Sequence, residues 1–364
     1  MPLKLTKFKA AAVSAAPVYL NREATVQKVC SLIEECAGNG AGLIAFPETF
    51  VPGYPHWYHV LRVDQGHPLH IRLVKNAVEV PSEATDQICN AASKADAIVV
   101  VGINERDPVN WGTLYNTNLI IDRNGTILGK HRKIMPTMVE KICWGFGDGS
   151  SLQVYDTDLG RIGTLICGEN TNPLAKFALL AQGEQVHVAN YPSNPTRTAF
   201  KITEGIEIRS RAMCFEGKVF TLTSSSTFGD EIRDMICLTD EHREFMSGKP
   251  SSYTAIHGPD GRCLAGPVMD KEEIVYAEID LEQCLIPKIR HDVVGHYNRF
   301  DIMWLGLNRS PRLPIMEVGG TISTSQERMP EDDFFHQLEV LLESMEDTQT
   351  RSEIQDLVKA YRGS

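Results

Sequence analysis

Over its first two-thirds the chain alternates short, unbroken apolar runs with stretches of helical periodicity, and that alternation admits few architectures. Phe8–Val13 reads as a strand. Arg22–Ala37 reads as an amphipathic helix, with Val26, Val29, Cys30, Leu32, Ile33 and Cys36 at helical spacing and Gly38 and Gly40 ending it. Gly42–Phe46 is a short buried strand. Ser82 caps a helix over Glu83–Ala95, which leads into the strand Ala97–Asn104. Leu114–Ile121 and Thr126–Lys133 flank "DRNG" as a hairpin, and Leu152–Tyr155 and Arg161–Cys167 follow. Asn172 as N-cap, with Pro173 at the first helical position, opens a helix running to about Gln182. Gln185–Ala189, Val219–Ser224, Tyr253–Ile256 and Glu273–Ile279 read as strands and Thr203–Glu216 as a helix. Helices between strands, with hairpins mixed in, predict an α/β fold on a mixed sheet.

Around Ser310 the pattern changes. "SPRLPIMEVGGTISTSQ" precedes two acidic helices expected near Asp332–Glu346 and Ser352–Tyr361. The expected organisation is one α/β domain over residues 1–310 and an extension over 311–364 that contributes oligomer contacts. That extension holds eleven acidic against five basic residues, so it supplies −6 of the net charge of −11. Such a balance argues against nucleic acid or an anionic membrane as partner. No apolar run approaches the length of a membrane-spanning helix. Nine scattered cysteines, without C-x-x-C pairing or a signal-peptide pattern, lead to the expectation of reduced thiols in a cytoplasmic protein.

Three strand ends carry reactive side chains. "GLIAFPE" runs into Glu48, "GKHRK" into Lys133 and "GRIGTLIC" into Cys167. In α/β sheets, ligands gather at the carboxyl ends of strands. A carboxylate at the rim of an apolar pocket has its pKa raised toward neutrality and can move protons. A lysine can hold a developing negative charge. A cysteine at a sharp strand-to-helix turn is an exposed nucleophile, and a following helix N-terminus is expected to favour its thiolate. Taken singly, Glu48 also fits a solvated turn, Lys133 a basic strand and Cys167 a small buried hydrophobe. Together they describe a base, a cationic stabiliser and a nucleophile, with no metal or cofactor required. "VEKICWGFGDGS" adds Glu140 in a short turn before a glycine-rich loop that lacks dinucleotide-binding spacing.

At these residues the sequence resembles the nitrilase superfamily, and within it the nitrilase branch. The resemblance lies in "FPETFVPGYPHW", "GKHRKIMPTMVEKICWGFGDGS", "GRIGTLICGENTNPLAKFALLAQGEQVHVANYP" and "GHYNRFDIMWLGLNR", and it spans roughly residues 7–310. It implies an αββα sandwich that pairs into dimers, with longer members building spirals. It implies Glu48 as general base and acid, Lys133 as stabiliser of tetrahedral intermediates and Cys167 as nucleophile. Glu140 is then the second glutamate, positioning Lys133 or substrate. The implied reaction takes a small-molecule nitrile to its carboxylic acid and ammonia through a thioimidate and a thioester, with amide as a by-product. An amidase, an N-carbamoyl hydrolase or a cyanide-degrading enzyme would use the same set; an inactive scaffold would be expected to lack one of the four. Gly168 and Tyr191 stand where the family commonly has tryptophan. Tyr54, Trp57, Trp144 and Tyr191 are expected to line an apolar pocket, with Gly168 and Glu169 beside the nucleophile. The H-x-x-H pairs His56/His59 and His67/His70 read as loop residues rather than metal ligands.

Overall fold

The computed structural model describes residues 5–313 together with Ile315, Leu342 and Arg351. The chain divides into two compact units, Met1–Arg312 and Leu313–Ser364. The two acidic helices expected over 332–346 and 352–361 lie outside the described residues.

The first unit is built on two six-stranded mixed sheets. Its strands are β1 (Lys7–Ser14), β2 (Ala41–Ala45), β3 (Ile98–Arg106), β4 (Leu114–Ile121), β5 (Ile127–Arg132), β6 (Tyr155–Thr157), β7 (Gly160–Ile166), β8 (Val186–Tyr191), β9 (Phe220–Ser225), β10 (Thr254–His257), β11 (Cys263–Val268) and β12 (Glu273–Asp280). One sheet has the order β12-β1-β2-β3-β4-β5 and the other β11-β10-β9-β8-β7-β6. Each has three parallel strands at its centre, β1-β2-β3 and β7-β8-β9, and antiparallel strands at both margins.

Both faces of these sheets are covered, which is why the central strands read as continuous apolar runs. Alternate residues face alternate layers. Ala10, Ala12, Leu43, Ala45, Ile98 and Val100 meet Ile162, Val186, Val188, Phe220 and Leu222 between the sheets. On the opposite face Ala11, Val13, Ile44, Val99 and Val101 pack under α1 (Arg22–Gly38) and α3 (Glu83–Ala95), through Val26, Val29, Ile33, Ile88 and Ala92. The second sheet is covered by α4 (Pro173–Leu180) and α5 (Ile202–Gly217), through Ala175, Ala178 and Leu179 on Leu165 and Ile202 and Ile206 on Tyr191. The layers are therefore helix, sheet, sheet, helix: the αββα sandwich.

Some elements escaped the periodicity. The helix α2 (Val63–Asn76) carries Gly66 and Pro68, and it contains the stretch His67–His70 that reads as a loop. Its second turn lacks the hydrogen bond a Pro68 N–H would make, but Leu73 anchors it in an aromatic cluster with Tyr19, Trp57 and Tyr58. His70 pairs there with the Tyr58 hydroxyl at 2.7 Å. His56 and His59 likewise sit on a short 3-10 turn rather than a loop. β11 was masked by Gly266-Pro267. β6 begins at Tyr155, because Leu152 belongs to the cluster under α4.

The loop after β2 lies directly on β3: Val51 N–H donates to Gly102 C=O at 3.1 Å and Asn104 N–H to Val51 C=O at 2.7 Å. A Cβ on Gly102 would overlap the Pro47 oxygen and the Thr49 nitrogen, which are backbone atoms with nowhere to go. Gly102→Ala is therefore expected to destabilise by about 2–3 kcal/mol and to displace Glu48. A urea midpoint and an activity assay read both effects, and a wild-type result in either would contradict this packing.

Candidate active site

The three strand ends converge, each held by a local backbone device. After β2 the chain turns at Thr49 in the left-handed region (φ 42°), bringing Glu48 against β3. After β5, Lys133 N–H donates to Asn116 C=O on β4 and Lys133 C=O accepts from Gly147 N–H, each at 2.8 Å. Gly147 lies flat on this segment, because a Cβ there would overlap the Arg132 oxygen. After β7, Cys167 itself is left-handed (φ 49°), a strained turn at the strand end. Glu140 sits on a 3-10 turn, Met138–Ile142, whose first residue is left-handed too (φ 48°).

Lys133 joins the acids. Its Nζ lies 2.9 Å from Glu48 Oε1 and 2.7 Å from Glu140 Oε2, with all three side chains buried. Glu140 also accepts from the Tyr54 hydroxyl at 2.9 Å and from Thr137 N–H at 2.7 Å. Glu48 Oε1 accepts a second bond, from Asn116 Nδ2 at 2.5 Å; Glu48 Oε2 has no partner among the described residues. Burial raises Glu48, Lys133 pulls it back and Glu140 adds to the rise, leaving it at about 7. Burial works against the charged Lys133, yet its two carboxylates hold it well above its ordinary value. Burial and the Glu48 charge push the Cys167 thiol up, offset in part by Lys133. The resting cluster thus holds an ammonium, a thiol and a carboxyl poised to exchange a proton near neutrality.

This corrects the expected source of thiol activation. The segment after Cys167 is a 3-10 turn, Cys167–Thr171, and α4 starts only at Pro173. Its first free N–H groups, on Leu174 and Ala175, are taken by the Asn172 side chain. A helix dipole does not lower this thiol; a base has to take its proton.

The remaining expected residues separate. Glu169 is committed to the scaffold: Oε1 accepts from Ile134 N–H at 2.6 Å, and Oε2 from Ile166 N–H at 2.8 Å and His131 Nε2 at 2.9 Å. One carboxylate thereby ties the residue after Lys133 to the residue before Cys167. Trp57 is fully buried among Tyr19 and Tyr58, a core side chain rather than a pocket wall. Trp144 is buried edge-on to Tyr54, its indole N–H on Asn104 Oδ1 at 2.9 Å. Tyr191 is buried under α5, in the cluster Cys167 touches. At Gly168 a Cβ would press on Thr137 Oγ1, at 3.0 Å, so any side chain there requires that hydroxyl to shift.

Asn116 and Asn118 were missed. They stand in the middle of β4, where "YNTN" interrupts an apolar strand, and a polar pair inside a two-sided buried strand was the available signal. Asn118 Nδ2 crosses between the sheets to Thr164 Oγ1 at 2.6 Å and Asn190 Oδ1 at 3.2 Å.

The family model for carbon-nitrogen hydrolases matches residues 9–285. A nitrilase of Bacillus sp. (strain OxB-1) is 39% identical over 315 residues, which is 86% of this chain and 91% of that protein. An aliphatic nitrilase of Rhodococcus rhodochrous is 38% identical over 335 residues, 89% of each chain. A carbon-nitrogen hydrolase of Helicobacter pylori G27 has a similar structure, with a TM-score of 0.64 at 17% identity over 81% of this chain and 97% of its own; at that identity the likeness is one of fold alone.

The Glu169–His131 pair has a stability signature. Glu169 is lowered from 4.5, despite burial, by His131 and two backbone N–H groups, so its contribution is complete above that value and is lost as pH falls through the folded pKa. Against its own burial, His131 is raised from 6.5 by Glu169, so its contribution is complete below 6.5 and is lost as pH rises through the folded pKa. Glu169→Gln is expected to cost about 3 kcal/mol, most between those two values and less on either side. Urea midpoints of wild type and variant from pH 4 to pH 9 test this; a constant difference would refute it.

Proposed function

The chain belongs to the carbon-nitrogen hydrolase family, and on that premise we propose that it is a nitrilase, converting an organic nitrile and two waters to a carboxylic acid and ammonia. The observation that carries the reading is the buried lysine held between two carboxylates beside a cysteine on a left-handed strand-end turn.

Glu48 Oε2 takes the Cys167 proton as Sγ attacks the nitrile carbon, and the nitrile nitrogen receives that proton to give a thioimidate. Glu48 then draws a proton from water as the water adds to the same carbon. Glu48 returns that proton to nitrogen and then relays the remaining hydroxyl proton of the intermediate to it, so that ammonia leaves and a thioester remains. A second water, deprotonated by Glu48, releases the acid and restores the thiol. A thiol suits this sequence because sulfur is intrinsically nucleophilic and leaves readily. Lys133 supplies the positive charge that the tetrahedral intermediates need in a dry site. Glu140, fixed by Tyr54 and Thr137, holds Lys133 in place.

The absence of a side chain at Gly168, next to Cys167, supports a roomier approach to sulfur than tryptophan would leave. The exposed apolar residues Ile208 and Phe215 on α5, Phe200 just before it and Leu174 on α4 support pairing with a second copy. The acidic segment 311–364 is read as contributing to such contacts. All nine cysteines are unpaired, which supports a reducing, cytoplasmic setting.

Ammonia release over phenylacetonitrile, mandelonitrile, benzonitrile, an aliphatic dinitrile, cyanide and the matching amides tests the reading. Release from organic nitriles, with amides inert, is expected, and Cys167→Ala should reduce it at least 10³-fold, on the order seen when a nucleophile is deleted. Release from amides alone would make the protein an amidase. Gly168→Trp is expected to re-rank the nitriles through KM without abolishing turnover.

A further inference from the structure

We infer that Asn116 is the positioning residue for the base: its side-chain amide fixes Glu48 so that Oε1 is bound and Oε2 alone is free to carry the proton. The inference rests on the nitrilase reading above.

Asn116 touches both members of the pair. Its backbone C=O accepts from Lys133 N–H at 2.8 Å, and its Nδ2 donates to Glu48 Oε1 at 2.5 Å. The residue is 1% exposed. Lys133 cannot fix Glu48 unaided, because its ammonium is shared with Glu140, which it approaches more closely. Asn116 and Lys133 are the donors to Glu48 among the described residues, and both bind the same oxygen.

A neutral donor meets this requirement, and the Asn116 amide reaches Glu48. A carboxylate at position 116 would add a third negative charge around one ammonium. A cation would hold Glu48 ionised and unable to return the proton. A neutral N–H donor orients the carboxylate and favours its charged form without committing it. The titratable groups facing Glu48 are Lys133 after β5, Glu140 on its 3-10 turn, Cys167 after β7, Tyr54 in the loop after β2 and Tyr191 on β8. Asn116 contacts Glu48 within that circle and does not itself titrate. Because burial already places Glu48 at about 7, loss of one donor moves its titration where a rate profile reads it.

The test is kcat/KM for nitrile against pH, from 5 to 10, in wild type, Asn116→Leu (similar in shape, no donor) and Asn116→Ser, with thermal midpoints measured alongside. In Asn116→Leu the acid limb should move up by about one to two pH units, the worth of one hydrogen bond to a charged group. Activity should fall roughly ten-fold at pH 7 and recover toward wild type above the displaced limb. An acid limb that stays in place in both variants, whatever the drop in rate, overturns the inference. Failure of both variants to fold assigns Asn116 to packing and overturns it as well. A wild type inert to every nitrile instead overturns the functional reading.

Discussion

A buried ammonium between two carboxylates governs the site. Lys133 carries no solvent contact, and a lysine so placed would shed its proton without partners. Glu48 and Glu140 prevent that, but two acids and one cation leave an excess negative charge in a dry cavity. The excess falls on Glu48, whose remaining oxygen is unpartnered, while Glu140 is held by Tyr54 and Thr137. Unequal hydrogen bonding thus leaves one carboxylate with a free oxygen and fixes the other on both of its oxygens.

Keeping such a cluster assembled requires backbone arrangements that are unfavourable locally. Thr49, Met138 and Cys167 are all left-handed without being glycine, which costs on the order of 1 kcal/mol or more each. Each flanks or carries a member of the cluster. Two glycines supply the complement: Gly102 and Gly147 let one backbone press on another where a methyl group would not fit. The two packed sheets provide the surroundings that hold these turns in place.

Glu169 extends the same economy to the gap between strand ends. It receives bonds from the residue after Lys133 and the residue before Cys167, so the two reactive ends share one anchor. His131, on β5 two residues before Lys133, pairs with that anchor. The Asn118–Thr164–Asn190 contacts lock the sheets together nearby.

Local pattern was enough to read most of the framework. The helix Glu83–Ala95, the strand Leu114–Ile121 and the Asn172-Pro173 helix start agree with the structure to the residue, because caps, periodicity and two-sided burial are properties of short segments. Glu48, Lys133 and Cys167 at strand ends and Glu140 in a short turn could be singled out by residue type and resemblance, and the fold brings Lys133 onto both carboxylates. The helix α2 was not, since its stability comes from Leu73 packing against a distant aromatic cluster rather than from its own Gly- and Pro-containing sequence. The partners of a polar side chain were equally hidden: Glu169, expected beside the substrate, bonds Ile134, Ile166 and His131, while Asn116, inside a strand, meets Glu48. Sequence determines which groups are present and which local geometry they favour. Only tertiary packing decides which groups meet, and in a buried site a group's charge and role depend on the partners it meets.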